Sequence, residues 1–478
     1  MSDVAPIANA GPEVSSRRTS RYPTYVFWIM FLISFLNYLD RNVLSGAANV
    51  VAKELGFGAD GIGIIASAFL VVYTLSTVPL GIWADRTKRK NVVAASVTAW
   101  SLITAFTALA TNFATLFISR MALGIGEAGY FPAGTALMSD YYSRAKRSRI
   151  MSLWSVGQLV GILVGFIIGG ELAGLFPGSW RLAFVLTGIP GLILAYLAWR
   201  LREPRRNEAD EEELALQDKF LPVEEVIEEE QTAHAAVVTP AVFKQFGSLL
   251  RIKTMVVLIV MQVFAYFVLG VNLVFLPTYL QQKDIFNFTS GQAGLFSGAV
   301  IVVAGMAGTV LGGYMADVLN RRFPGARILV CGIGFLLSAP AFAIAILVHS
   351  LGIFTAFFII TTILLTVYTG PSTAATQDVV PSALRASAVA ITLLIAHLLG
   401  DAFSPSIVGV LVTAIDPTHG HHFAIGMAGQ DFSIALFVTC TPALLIAGLV
   451  GIFGSGWMKG DIAAAELADK RVREQQAG

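Results

Sequence analysis

Apolar residues fill this chain in about twelve long runs, near 25–50, 61–83, 91–110, 113–139, 150–175, 181–200, 254–280, 291–316, 327–349, 351–377, 386–414 and 432–456. At roughly 20 residues or more, each run is long enough for an α-helix to cross a bilayer. The pattern therefore predicts an all-α integral membrane protein with twelve spans. The polar stretches divide it further into a tail (1–24), six spans (25–200), a linker (201–253), six more spans (254–456) and a second tail (457–478).

Composition agrees with that reading: 55% of the 478 residues are hydrophobic, 13% are charged, and the mean hydropathy is +0.72. The distribution of charge adds orientation. Of the 32 Lys and Arg, 27 lie in the tails, the linker or the even-numbered connections; Lys53, Arg181 and Lys283 lie on the opposite side. By the positive-inside rule both termini are expected in the cytoplasm. The first 24 residues carry Arg17, Arg18 and Arg21 without an apolar core before a small-residue site, so the first span is expected to be its own insertion signal. Cys331 and Cys440 both fall in apolar spans, which predicts neither a disulfide framework nor a metal-ligand cluster. The linker carries Glu211-Glu212-Glu213, Glu224-Glu225 and Glu228-Glu229-Glu230, which reads as a solvated stretch, with a surface helix over part of it as the alternative.

Only two basic residues remain, Arg41 and Arg120, and both lie inside apolar spans. Arg41 follows Asp40 near the middle of the first span, about 15 residues or 22 Å from its start. Arg120 stands seven residues before Glu127 in the fourth span, nearly two turns, so both are expected on one face, with Gly124, Gly126 and Gly129 allowing close helix approach. A charge at membrane depth costs at least about 2.5–3.5 kcal/mol, and such residues usually face a partner or a watery cavity. The four charges sum to zero, so mutual neutralisation between the first and fourth spans is expected. The plainer alternative is a static ion pair that only locks helices together. His397 and Asp401, four apart in the eleventh span before Ser404-Pro405, form a secondary candidate pair, and Tyr130 is a further candidate. Their alternative is a local helix contact. His419, His421 and His422 cluster in the loop before the last span; no function follows from them. The fifth span has Gly157, Gly161, Gly165 and Gly169 at every fourth position, a close-packing face, and Gly188-Ile-Pro190-Gly191 suggests a kink or local unwinding of the sixth.

Internal duplication is legible. Gly81-x-x-Ala-Asp85 recurs as Gly313-x-x-Ala-Asp317, an offset of 232, and Pro132 with Asp140 finds a loose echo in Pro371 with Asp378. Two similar six-helix halves suit a transporter with its site at the midplane between them.

These features, with Gly81-x-x-Ala-Asp85-Arg86-x-x-Arg89-Lys90, resemble the major facilitator superfamily over essentially the whole chain. Asn37-Tyr38-Leu39-Asp40-Arg41, Arg120-x-x-x-Gly-x-Gly-Glu127-Ala-x-Tyr130, Arg147-Ser-Arg149 and His397-x-x-Gly-Asp401-x-x-Ser404-Pro405 resemble its spinster branch of lysolipid and sphingolipid transporters. Thr87-Lys88 departs from the loop pattern, where a glycine is common. The resemblance implies a proton-coupled secondary transporter that rocks two pseudo-symmetric bundles by alternating access. It assigns Asp40 and Glu127 to protonation or pairing and Asp85 to a latch on the cytoplasmic side; Arg86, Lys88 and Arg89 are expected to act at that gate with Asp85, with the fixing of topology as their alternative.

For the substrate, Tyr38, Tyr73, Tyr130, Phe131, Trp154, Asn272, Tyr368 and Thr369 are candidate lining residues beside the embedded arginines. A planar guanidinium binds phosphate or carboxylate bidentately, so an amphiphilic lysolipid-like anion is expected, with an organic anion or sugar acid as the alternative. The expected partners are that substrate and membrane lipids, with the proton as coupling ion, no cofactor, no metal and no nucleic acid, in a monomer of a bacterial inner membrane. No Ser-His, Cys-His or His-x-x-x-His arrangement at plausible depth supports an intramembrane enzyme. A duplicated scaffold with midplane charges likewise suits a transport cycle better than an open channel.

Overall fold

The computed structural model describes residues 22–206, 208–217, 247, 249–323, 325–418 and 420–477. Arg17, Arg18, Arg21, His419 and the glutamates at 224–230 lie outside them. Among the described residues every regular element is helical. The first half comprises α1 (Tyr22–Leu55), α2 (Ala59–Arg86), α3 (Arg89–Thr107), α4 (Phe113–Ala128), α5 (Tyr130–Tyr141), α6 (Arg144–Ala173) and α7 (Trp180–Arg200). A helix, α8 (Glu208–Gln217), follows in the linker, the alternative to a plainly solvated charge run.

The second half comprises α9 (Lys253–Leu280), α10 (Ser290–Ala299), α11 (Gly305–Asn320), α12 (Ala326–Leu347), α13 (Leu351–Thr366), α14 (Thr369–Asp378), α15 (Arg385–Ala396), α16 (Ser404–Ile415), the short α17 (His421–Ile425) and α18 (Gly429–Gly454). A polar helix, α19 (Met458–Ala477), closes the chain. Wider π turns join α10 to α11 at Val300–Ala304 and α15 towards α16 at His397–Asp401. Such turns recur at functional positions.

Among the described residues, ten helices, taken with their continuations, are long and apolar enough to cross a membrane. The other two expected spans are α3, which carries Ser96, Thr98, Ser101, Thr104 and Thr107 among its apolar residues, and α4 with α5, divided at Gly129. That division falls two residues after Glu127, so a buried carboxylate stands next to an interruption of the backbone ladder. Large apolar side chains such as Phe106, Leu109, Val310 and Phe453 are exposed, as a lipid-facing surface requires.

The glycine stripe of α6 is used as its spacing predicts. A Cβ on Gly157, Gly161, Gly165 or Gly169 would run into the carbonyl oxygens of Phe31, Phe35, Leu39 and Val43 in turn. Helix α1, the carrier of Asp40 and Arg41, is thereby held backbone to backbone against α6. The expected unwinding at Gly188–Gly191 does not occur. Helix α7 is continuous through Pro190, and the two glycines instead admit α3 at Ser101 and Ala105. Close packing against α3 gives these glycines a role.

Among the described residues the halves are joined closely at one end. Phe166–Gly170 of α6 abut Ser290–Gly294 of α10, and Ala59–Gly63 of α2 abut Pro405–Gly409 of α16. Ser67 Oγ accepts from the Ser406 N–H at 3.1 Å. Asn49 donates to Gln281 at 3.2 Å, and their separation of 232 residues is the offset that relates Asp85 to Asp317. Equivalent positions of the two repeats thus touch each other across the seam. At the opposite end, where the basic turns gather, no hydrogen bond or ion pair joins the halves among the described residues. The molecule is closed at one mouth and open at the other.

Candidate functional site

Adjacent positions on a helix point about 100° apart, and Asp40 and Arg41 accordingly go to different surroundings. Arg41 turns towards α2 and α4. Its Nε lies 2.6 Å from Glu127 Oε2, and its guanidinium sits over the rings of Tyr73, Tyr38 and Phe69 at 4.3, 5.2 and 5.4 Å. The pair is unevenly buried: the Arg41 side chain keeps 17% of its surface, whereas Glu127 keeps none. The arginine is the accessible member, in an aromatic setting that favours a cation over each ring face.

Asp40 and Arg120 are both buried, and neither makes an ion pair within 4 Å among the described residues. Both oxygens of Asp40 lack a hydrogen-bond partner; the hydroxyls of Thr187 and Thr104 lie beside it. Arg120 sits over the Phe184 ring at 4.7 Å with Nε and one Nη unbonded. The structure therefore corrects the expectation of four mutually neutralised charges: one tight pair forms, and behind it an acid and a base stay in electrostatic reach without contact. Arg120 and Glu127 start from one helix face but diverge, because Glu127 is drawn to α1 and Arg120 to α7. An uncompensated buried charge costs several kcal/mol. Clusters of this kind persist where function uses them.

In the second half, His397 Nδ1 lies 2.9 Å from Asp401 Oδ2 inside the π turn, and its ring meets Tyr266 edge to face at 4.6 Å. Asp401 Oδ1 has no partner, and its Cα–Cβ unit fills the space over Gly270 of α9. Asp401 is within electrostatic reach of Tyr38 in the first half. The His397–Asp401 pair thus faces the same interface as Arg41.

Several proposed lining residues are engaged elsewhere. Tyr130 is buried and donates to the Met30 carbonyl at 3.3 Å, which also receives the Trp154 indole N–H at 2.9 Å. Both brace α5 and α6 against α1. Phe131 is exposed and stacks on Trp154, with ring centres 5.5 Å apart.

At the open end, Arg89 is buried and bonded to Asp140, with Glu203 accepting from its backbone N–H at 2.8 Å and from that of Lys90 at 3.0 Å. Lys90 Nζ in return donates to the Leu201 carbonyl at 2.6 Å. A carboxylate thus caps the start of α3 and an ammonium the end of α7, each matching the local dipole. Arg327 bonds Asp378 in the second half as Arg89 bonds Asp140; both pairs span 51 residues. Asp85 is partly buried, with its carbonyl bonded by Arg206, while Arg86 and Lys88 are exposed.

Residues 30–405 match the sequence model of the Major Facilitator Superfamily. The chain belongs to the major facilitator superfamily. This facilitator is 26% identical to protein spinster of Drosophila melanogaster over 84% of its own length and 64% of that protein, slightly under two thirds of it. It is 24% identical to spinster homolog 1 of Xenopus tropicalis over 95% of its length and 83% of that protein. A probable L-galactonate transporter of Escherichia coli is 27% identical over 66% of each chain. Among solved structures, a bacterial spinster homologue in an inward-facing, unoccupied conformation superposes with a TM-score of 0.78 at 24% identity, covering 93% of this chain and 99% of the other. The similar proteins thus include both spinster proteins and a sugar-acid transporter, and the structural match shows a shared fold.

Three features of the facilitator's site escaped the sequence. Phe69 completes the wall around Arg41, and Thr104 with Thr187 accompany Asp40. Nothing in their local pattern separates them from ordinary helix-packing residues. The Asn49–Gln281 contact had a usable signal: the repeat offset of 232 relates two amides at matching depth.

Proposed function

We propose that this facilitator is a proton-coupled secondary transporter of an amphiphilic anion, with Arg41 receiving the anionic head. The supporting observation is the asymmetry of the Arg41–Glu127 pair, in which the arginine is the accessible partner within an aromatic wall. A proton arriving on a Glu127 carboxylate oxygen removes the anion that Arg41 holds. The guanidinium then takes the substrate phosphate or carboxylate as replacement. Proton and anion each favour the binding of the other, which is the reciprocity that coupling requires. Asp40 and Arg120 form a second site behind the pair, from which a proton reaches Glu127 or is retained.

With the basic turns in the cytoplasm of a bacterial inner membrane, the open mouth faces inward. Closing it is the task assigned to Asp85, Arg86 and Lys88 at the ends of the moving halves, while Arg89 stiffens α3 against α5. His397 and Asp401 supply a further polar contact for the head group from the second half.

A second reading is a sugar-acid symporter. It is favoured by similarity to the probable L-galactonate transporter and to a probable galactarate/D-glucarate transporter of Bacillus subtilis, 26% identical over 67% of this chain. Arg41 serves a carboxylate equally well. The test is proton movement in proteoliposomes on adding a lysophospholipid, a sphingoid phosphate or galactonate, for wild type and Glu127→Gln. Lipid-dependent flux lost in the variant supports the first reading, flux with galactonate alone supports the second, and flux unchanged in the variant removes Glu127 from coupling.

A further inference from the structure

The closed mouth holds a charge arrangement that transport at Arg41 does not use. The sequence places only three basic residues on this side, and Arg181 is bonded to Glu54. The other two, Lys53 at the end of α1 and Lys283 just after α9, come from opposite halves yet flank one residue, Gly426. A Cβ on Gly426 would lie 3.0 Å from Lys53 Nζ and 3.7 Å from Lys283 Cε, and the Lys283 N–H donates to the Gly426 carbonyl at 2.7 Å. Both side chains are exposed, so two like charges from opposite halves stand on either side of one glycine. Among the described residues neither makes an ion pair.

Four acids nearby, Glu54, Asp284, Asp416 and Asp431, have other partners. Glu54 accepts from Arg181 and from Trp180 at 2.9 Å. Asp284 accepts the N–H groups of Gly429 and Gln430 at 3.0 and 3.1 Å, and Asp416 and Asp431 hold His422. Beside Lys53 opens a cleft of about 640 Å³, walled by Phe57, Phe113 and Phe423 together with Asp60. Phe57, Phe113 and Lys53 belong to the first half, Phe423 to the second, so the cleft exists only while this mouth is closed.

We infer that Lys53 and Lys283 form an anion site at the closed mouth, whose occupant is an oxyanion, phosphate or carboxylate, and whose binding stabilises the closed state. Two like charges brought together by closure oppose it; an anion between them converts repulsion into a bridge. The aromatic walls leave room for an apolar group on the same anion, so a lipid head group and a free phosphate share the chemistry. This site is independent of the proton-coupling reading, because its occupant acts on the equilibrium between closed and open mouth.

The test is the accessibility of Asn49, which is buried in the seam. An Asn49→Cys chain, whose native Cys331 and Cys440 are buried, is labelled with a water-soluble maleimide in phosphatidylcholine nanodiscs, in inorganic phosphate and in chloride of equal ionic strength. Phosphate is expected to slow labelling several-fold. In the Lys53→Gln/Lys283→Gln background labelling is slow already in chloride and phosphate adds nothing, whereas Lys53→Arg/Lys283→Arg keeps the response. Slowing in phosphatidylglycerol nanodiscs without phosphate assigns the occupant to a lipid head group; slowing by phosphate alone assigns it to a soluble anion. Equal rates in phosphate, chloride and both lipids, or an undiminished response in the glutamine variant, overturn the proposal.

Discussion

Arg41 Nε and Glu127 Oε2 stand 2.6 Å apart, joining α1 to α4, and of the two only the arginine side chain retains exposed surface. The pair is therefore exchangeable from one side. Removing the acid's charge while keeping its shape, as in Glu127→Gln, is expected to abolish proton-driven uptake with little loss of folded protein. Arg41→Ala leaves a buried carboxylate alone and should cost about 3–5 kcal/mol. Thermal unfolding in detergent, measured beside proteoliposome flux, separates the two effects.

The basic turn after α2 contains residues of unlike kind. Arg89 is buried against Asp140, whereas Lys88 is exposed. Arg89→Ala should lower stability by about 3–5 kcal/mol, the usual result of breaking a buried pair. Lys88→Ala should stay within about 0.5 kcal/mol and change transport rate alone. Arg327→Ala is the matching test in the second half, with a smaller loss because Asp378 is partly exposed. Equal losses for Arg89→Ala and Lys88→Ala would contradict this division.

The contact between α6 and α1 sets the position of Asp40 and Arg41. A Cβ at Gly165 would lie 2.6 Å from the Leu39 carbonyl oxygen, one residue before Asp40. Gly165→Ala must push α1 outward, at a cost of about 1–3 kcal/mol, and should lower transport more than stability predicts. Gly352→Ala, where a Cβ meets nothing within 4 Å, is the control. Flux normalised to folded protein decides it.

The loop at the closed mouth has a pH dependence of definite sign. The hydrogen bond with Asp431 is the main cause that raises His422 above its ordinary 6.5, with Asp416 and Asp284 adding attraction. A group raised by folding stabilises below its unfolded value and loses that contribution as pH rises through the folded one. Burial acts to raise Asp416, but hydrogen bonds from Thr418, Gly420 and His422 outweigh it and hold it below 3.8, so its contribution is lost only in strong acid. Protection factors of the amides in 416–418 and 420–428, corrected for intrinsic exchange at each pH, should therefore fall as pH rises above 6.5. His422→Asn should abolish that dependence; a dependence kept in the variant would place its origin elsewhere.

Much of this molecule was legible in its sequence because a bilayer leaves little choice. Backbone groups in hydrocarbon must be bonded within their own helix, so twelve apolar runs dictated the spans, and the 232-residue echo of Asp85 in Asp317 dictated two related halves. The cost of charge at membrane depth singled out Asp40, Arg41, Arg120 and Glu127 as the site to examine. Glycine spacing in α6 likewise announced a packing face, since only a missing Cβ allows backbones to touch at every fourth residue. Pairing was another matter. That Arg41 takes Glu127 while Asp40 and Arg120 stay apart depends on the direction in which α1 is turned by the glycines of α6 and on what α7 presents as Phe184. The gathering of Lys53 and Lys283 at one mouth depends in the same way on how two halves dock. Those are distances between helices far apart in the chain, and only the tertiary structure decides them.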